Sequence, residues 1–166
     1  MKKILTFLLP TLLLLSVSCD TPSRKVTGDY SYKQSGLVTF TDEENHTVST
    51  LATKQGQMNI MLDRHGKKGD VLITFNEMGG GAHTCTGKIQ GDSIFFAPYE
   101  FTTRFSISDS LAGITQVGEV YTVQSAGRGI ICDDMILVEE QWTGRPEDGT
   151  QIRLHAEKIT ILAEKN

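Results

Sequence analysis

The side chains able to do chemistry are four histidines, three cysteines and several short acidic runs. His46, His65, His83 and His155 are scattered. No His-x-x-x-His or His-Glu-x-x-His spacing sets two imidazoles on one face, so the sequence carries no zinc motif. His46, His65 and His83 stand in or near turn-rich stretches and are expected to face solvent; His155 has the opposite parity to Leu154 and is expected to be exposed. Asp133-Asp134 and Glu139-Glu140 gather the oxygens that Ca2+ takes, but without the Asp-x-Asp-x-Asp-Gly order of a calcium loop, and they read as a solvated acidic rim. A hydrolase site built from Asp133, Asp134, Glu139 or His155 needs these groups to converge in a cleft, and their spacing singles out no pair. There is no Gly-x-Ser-x-Gly elbow, and Gly79-Gly80-Gly81 lacks the Lys-Ser/Thr of a phosphate loop. The expectation is a protein with no catalytic residue, no metal and no cofactor.

The first residues carry an address rather than a core. Met1 to Ser18 has a head with Lys2 and Lys3, an apolar stretch from Ile4 to Leu15, and then small residues. That order is an export signal. Its dozen apolar residues would span about 18 Å as a helix, short of a ~30 Å hydrocarbon layer, and Pro10 interrupts them. Small residues leading into Cys19, then the polar run Asp20 to Lys25, resemble a bacterial lipoprotein signal. The resemblance implies removal of residues 1–18, acylation of Cys19, and a tether over residues 19–27. The chain would then sit in the cell envelope, held to a membrane through its lipid; an outer-membrane site facing the periplasm or the surface is the expected one. Ordinary cleavage after Ser18 would leave Cys19 a plain thiol.

Setting Cys19 aside leaves Cys85 and Cys132, an even number in an exported chain. A disulfide across that 47-residue separation would stabilise the domain by about 3 to 4 kcal/mol, provided the two strands are neighbours. Two buried, reduced cysteines acting as small apolar residues are the equal alternative.

The elements that must position these groups are strands. From Gly28 onward the signal is period-two alternation broken by Gly, Asp and Asn, with no sustained 3.6 periodicity. Met58, Ile60 and Leu62 share a parity, and after the turn His65 to Asp70 the pattern resumes with Val71, Ile73 and Phe75, which makes a hairpin. Met61 and Leu72 are apolar on its other face. Further runs fall at Gly36 to Phe40, Val48 to Thr53, Thr84 to Ile89, Ser93 to Phe96, Phe101 to Ile107, Val117 to Ser125, Gly129 to Cys132, Met135 to Thr143 and Gln151 to Ala163. A parity change near Glu157-Lys158 predicts a bulge, and Ser108 to Gly113 predicts at most one helical turn. The cadence predicts an all-β domain over residues 28–166, an antiparallel up-and-down β-barrel of about 8 to 10 strands, with a β-sandwich as the alternative. Met58, Ile60, Phe75, Phe95 and Trp142 are expected to line its interior.

An exported β-domain that begins Gly28-Asp29-Tyr30 and finishes on a long strand carrying Arg153 resembles the calycin group, in particular calycin-like and lipocalin-like bacterial lipoproteins. Lipocalins place a Trp after Gly-x in the first strand and pack it on an Arg of the last. Tyr30 stands where that Trp would, which implies Tyr30 and Arg153 as a barrel-closing pair. The resemblance implies a barrel able to enclose one small apolar ligand.

Charge narrows the partners. The formal net charge of −4 becomes −6 once Lys2 and Lys3 leave with the signal, which argues against nucleic acid. The expected function is therefore non-enzymatic binding of a small apolar ligand by a cell-envelope lipoprotein. The alternative is a structural or accessory, inhibitor-like lipoprotein that meets a protein partner through its outer face and loops such as Arg145 to Gly149.

Overall fold

The computed structural model describes residues 25–105, 120–149 and 151–166. The expected signal segment, Cys19 and the helical turn at Ser108 to Gly113 lie outside these residues. Eight strands follow one another: β1 (Gly28–Thr41), β2 (Thr47–Leu62), β3 (Asp70–Glu77), β4 (Ala82–Gln90), β5 (Ser93–Arg104), β6 (Val120–Cys132), β7 (Met135–Pro146) and β8 (Arg153–Lys165). Each pairs antiparallel with its sequence neighbour, and β8 returns to pair with β1. The fold is thus a closed up-and-down barrel, as the alternation predicts; a ladder that runs from the last strand to the first leaves no second sheet for a sandwich.

Neighbouring runs merge, which is why there are fewer strands than ten. The runs at 48–53 and 58–62 are one strand, β2, and those at 93–96 and 101–107 are joined across a bulge between Phe96 and Tyr99 in β5, which ends at Arg104; residues 106 and 107 lie outside the described residues. A bulge lets a long strand bend round the barrel without ending. Gly127, inside β6, is a second example of a residue that reads as a break but is not one. A Cβ there would lie 2.6 Å from the Glu139 carbonyl oxygen, so glycine is what lets β6 lie close to β7. The parity change in β8 is present: Ala156 pairs with Trp142 and Ile159 with Glu140, so Glu157 and Lys158 together oppose Gln141.

Inward side chains form two apolar clusters. One fills the end where β1 begins, around Tyr30, Met58, Ile60, Ile73, Phe75 and Ile136; the other fills the opposite end, around Val38, Phe40, Tyr121, Trp142 and Leu154. Met58, Ile60, Phe75 and Trp142 are each 1% exposed. Phe95, expected beside them, instead points outward and is 42% exposed, because alternation puts Ile94 and Phe96 inside.

Two expected pairings are corrected. Cys85 and Cys132 are free thiols, the first buried and the second exposed. Strand β5 lies between their strands, and two strand spacings of about 4.8 Å exceed the ~7 Å Cα separation that a disulfide can bridge. Tyr30 and Arg153 stand at opposite ends of the barrel. Tyr30 pairs with Lys165 while Arg153 pairs with Thr41, since an antiparallel closure brings the start of β1 to the end of β8. The Lys165 ammonium lies 5.9 Å from the Tyr30 ring centroid and donates to the Lys25 carbonyl, and the Tyr30 hydroxyl donates to the Val26 carbonyl. These contacts close that end in place of an arginine.

Candidate functional site

Between the two apolar clusters, inward positions turn polar. On β1 the inward row Tyr30, Tyr32, Gln34 changes character at Gln34; on β2 the row Val48, Ala52, Lys54, Met58 changes at Lys54. Gln34 and Lys54 are direct cross-strand partners, which places their Cβ atoms about 5 Å apart. Glu77, His83, Thr103, Ser125 and Glu140 bring the same change to β3, β4, β5, β6 and β7.

The wall is notched at this level because β3 and β4 are short. Pairing of β2 with β3 ends at Gly56 and Glu77, and pairing of β4 with β5 ends at Gly87 and Phe96. Above the β3–β4 turn, β2 and β5 therefore face each other with no strand between them among the described residues. Lys54 spans this step: its Nζ lies 2.6 Å from Glu77 Oε2 and donates to Thr103 Oγ1, also at 2.6 Å. With its side chain 12% exposed, Lys54 is a partly desolvated cation held by one carboxylate and one hydroxyl. Such a pair contributes little net stability, but removing one partner strands the other. An open hollow of about 600 Å3 lies beside the step on the outside of β1 and β2, lined by the outward Lys33, Ser35, Thr53 and Gln55 and taking in Gln34, Lys54, Glu77 and Met78. Gln34 is 8% exposed, and its Nε2 meets no hydrogen-bond acceptor among the described residues.

A stack of rings fills the wedge where β4 leaves β5. The His83 imidazole lies nearly parallel to Phe75, Phe101 and Tyr99, with centroids 5.0, 4.8 and 5.6 Å away. His83 is therefore not the solvent group that its turn-rich neighbourhood suggests: its inward parity on β4 carries it between aromatic faces. Burial pushes its pKa down to about 4, helped by the Lys54 charge and opposed by Glu77. The ring is neutral at neutral pH and stacks without burying a charge.

Beneath the stack lies Glu140, 1% exposed. Its Oε1 accepts from the Tyr99 hydroxyl at 2.8 Å and its Oε2 from the Trp142 indole N–H at 3.0 Å. Burial raises its pKa, and the Trp142, Tyr99 and Ser125 donors hold it back. The Ser125 hydroxyl lies beside the carboxyl but outside strict hydrogen-bond geometry. The effects spread: Tyr32 is pushed up to about 12 by burial, then by Glu77 and Glu140, and Cys85 up to about 12 by burial and Glu140. A thiol held that high stays protonated and is a poor nucleophile.

The acidic residues singled out from sequence do not come together. Asp133 and Asp134 form the β6–β7 turn, whereas His155 is exposed on β8 near its start. Glu139 points outward to an ion pair with Lys158, and only its neighbour Glu140 enters the barrel. His46 pairs with Asp42 across an exposed turn, 3.0 Å from Nδ1 to Oδ2. Among the described residues, no group of three His, Cys, Asp or Glu side chains could hold a metal ion. Sequence reasoning missed Gln34, Lys54, Glu77, Tyr99 and Thr103; polar residues at inward parity were the available signal.

No family model matches the chain, and no curated protein matches it. One solved structure with some likeness is a protein of unknown function from the DUF3598 family of Nostoc punctiforme, 11% identical with a TM-score of 0.34. The match covers 88% of this chain and 49% of that one, so this chain spans about half of its length.

Proposed function

We propose that this chain is a cell-envelope lipoprotein, acylated at Cys19, whose barrel binds a small ligand at the lateral notch without performing chemistry. Both ends of the interior are occupied by packed side chains, which moves the reading from a ligand enclosed along the barrel axis to one entering between β2 and β5. The observation that carries it is the Gln34 amide, buried, without an acceptor among the described residues, and directly across the ladder from Lys54. A buried donor left unsatisfied costs about 1 to 3 kcal/mol, which a ligand acceptor would recover. Lys54 uses two of its three N–H donors on Glu77 and Thr103. The ligand is then a small molecule presenting a carboxylate or amide oxygen to Gln34 and Lys54, with an apolar part against Met78 and the edge of the Phe101 ring.

The test is an NMR screen of short carboxylic acids and amides against the full chain. The reading expects shifts concentrated on the Gln34 side-chain amide and on Phe101, with at least a tenfold loss of affinity, about 1.4 kcal/mol, in Gln34→Leu. Shifts confined to the outer wall, or saturation unaffected by that substitution, would overturn it.

A second reading, an accessory protein working through its outer face, is favoured by one observation. Ile130, Leu137 and Leu162 form an outward cross-strand row on β6, β7 and β8, exposed by 57, 43 and 39%. Crosslinking in intact cells that recovers one dominant protein at this row would favour it over the notch.

A further inference from the structure

At the end of the barrel where β1 begins, Met61 faces outward and Leu62 stands at the rim, exposed by 51 and 39%, with Leu72 paired to Met61 across β2 and β3. They line an open groove of about 640 Å3 that also takes in Thr27 and Gly28, the residues through which the chain enters the barrel. The adjoining β2–β3 turn is basic on its surface. Arg64, Lys67 and Lys68 are exposed, whereas the turn's two carboxylates are half-buried and held against the backbone, Asp63 Oδ1 accepting from the His65 N–H at 2.9 Å and Asp70 Oδ2 from the Lys67 N–H at 2.7 Å, so the turn is positive by one charge with its cations outermost. Diametrically across the same end, four strands away, the β6–β7 turn is Asp133-Asp134, and the β4–β5 turn between them carries Asp92. This end of the barrel therefore has an apolar and basic sector facing an acidic one.

We infer that the Met61–Leu62–Leu72 groove and the Arg64–Lys68 turn form a membrane-docking face, which seats the barrel tilted on an anionic lipid surface with the acidic sector raised. The inference rests on acylation of Cys19. The six chain steps from Cys19 to Lys25 reach no more than about 20 Å when extended, so the lipid holds this end close to the bilayer. Within about 8 Å of the headgroups, the Debye length, the sign of the charge decides which sector turns down, and the tether is long enough to let either sector reach that layer. Exposed apolar side chains ringed by Lys and Arg are what an interfacial contact requires, with the apolar groups at acyl depth and the cations among phosphates. A protein partner would meet the groove without needing the basic turn, and an acidic headgroup accounts for both.

The test is hydrogen exchange of the full lipidated chain in nanodiscs of mixed phosphatidylcholine and phosphatidylglycerol, compared with pure phosphatidylcholine, with the mass of the Cys19 peptide read in the same experiment. The expected result is slower exchange over residues 61–69 in the anionic discs, by about tenfold, with residues 133–134 unchanged. The triple variant Arg64→Glu, Lys67→Glu, Lys68→Glu should lose this protection while keeping its lipid. Equal exchange at the two sectors, or protection at 133–134, overturns the docking face. Protection of 61–69 that grows with protein concentration in the absence of lipid also overturns it and assigns the groove to a second copy. An unmodified Cys19 peptide identifies failure of the anchor rather than of the face; the unlipidated chain is then tested directly on phosphatidylglycerol vesicles at low salt. Binding that the triple variant lacks upholds the face, and its absence overturns it.

Discussion

Glu140 is enclosed on all sides and held by two donors, so removing it and neutralising it should differ. Glu140→Ala leaves the Tyr99 hydroxyl and the Trp142 N–H unpaired beside a new void and should cost about 3 kcal/mol, whereas Glu140→Gln keeps one acceptor oxygen and should cost about 1 kcal/mol. Urea denaturation of the two variants checks the order. His83 sets a pH dependence of opposite sign to that of Glu140. Its folded pKa of about 4 lies below the ordinary 6.5, so the unfolded chain binds more protons between those values. Stability therefore falls as pH drops from about 6.5 to 4, by about 2 kcal/mol once solvent screening of a partly exposed ring is allowed for. The raised Glu140 carboxyl acts the other way: its contribution is present at acid pH and is lost as pH rises above the ordinary carboxylate value through the folded one. His83→Phe keeps the ring stack and should abolish the acid-side decline in a pH series of denaturation curves. Single residues were the least legible scale in the sequence. Alternation fixes which side a residue takes only once the phase of its run is known, and the all-apolar run Ile94-Phe95-Phe96 hides that phase, which is how Phe95 comes to be expected inside; a polar residue at inward parity, in turn, has no partner until strand register supplies one.

At the scale of elements, the notch is a matter of length. Strands β3 and β4 have 8 and 9 residues against 16 in β2 and 12 in β5, and that difference alone exposes the step that Lys54 spans. The bulge at Glu157-Lys158 is the other element that shapes the wall. Gly36 of β1 crosses β8 there, and a Cβ on it would lie 2.5 Å from Ile159 Cδ1 and 2.6 Å from the Lys158 carbonyl oxygen. Gly36→Ala should cost about 2 kcal/mol, because backbone on one side cannot yield; a lowered denaturation midpoint with unchanged slope is the expected reading. The bulge was legible because Ala156 and Ile159 break parity within one apolar run. Strand ends were not, because Gly56 and Gly127 look like breaks while sitting inside ladders.

For the whole molecule, antiparallel order and a barrel were legible from the cadence of short turns, whereas the register of the closing pair was not, because nothing local sets which residues of two strands more than a hundred residues apart oppose each other. That closure also explains why Lys165, rather than Arg153, reaches Tyr30. It places the two thiols in distinct environments: maleimide should modify Cys132 in the folded chain within minutes and Cys85 only on unfolding, as mass spectrometry of labelled peptides would show.

The bond between β1 and β8 joins the first strand to leave the ribosome with the last. Until β8 arrives, β1 keeps a bare edge able to recruit any other extended chain. Assembly is correspondingly late and non-local, which predicts slow folding. A chain stopped before Arg153 should accumulate as aggregate, since it would present two such edges where the closed barrel presents none.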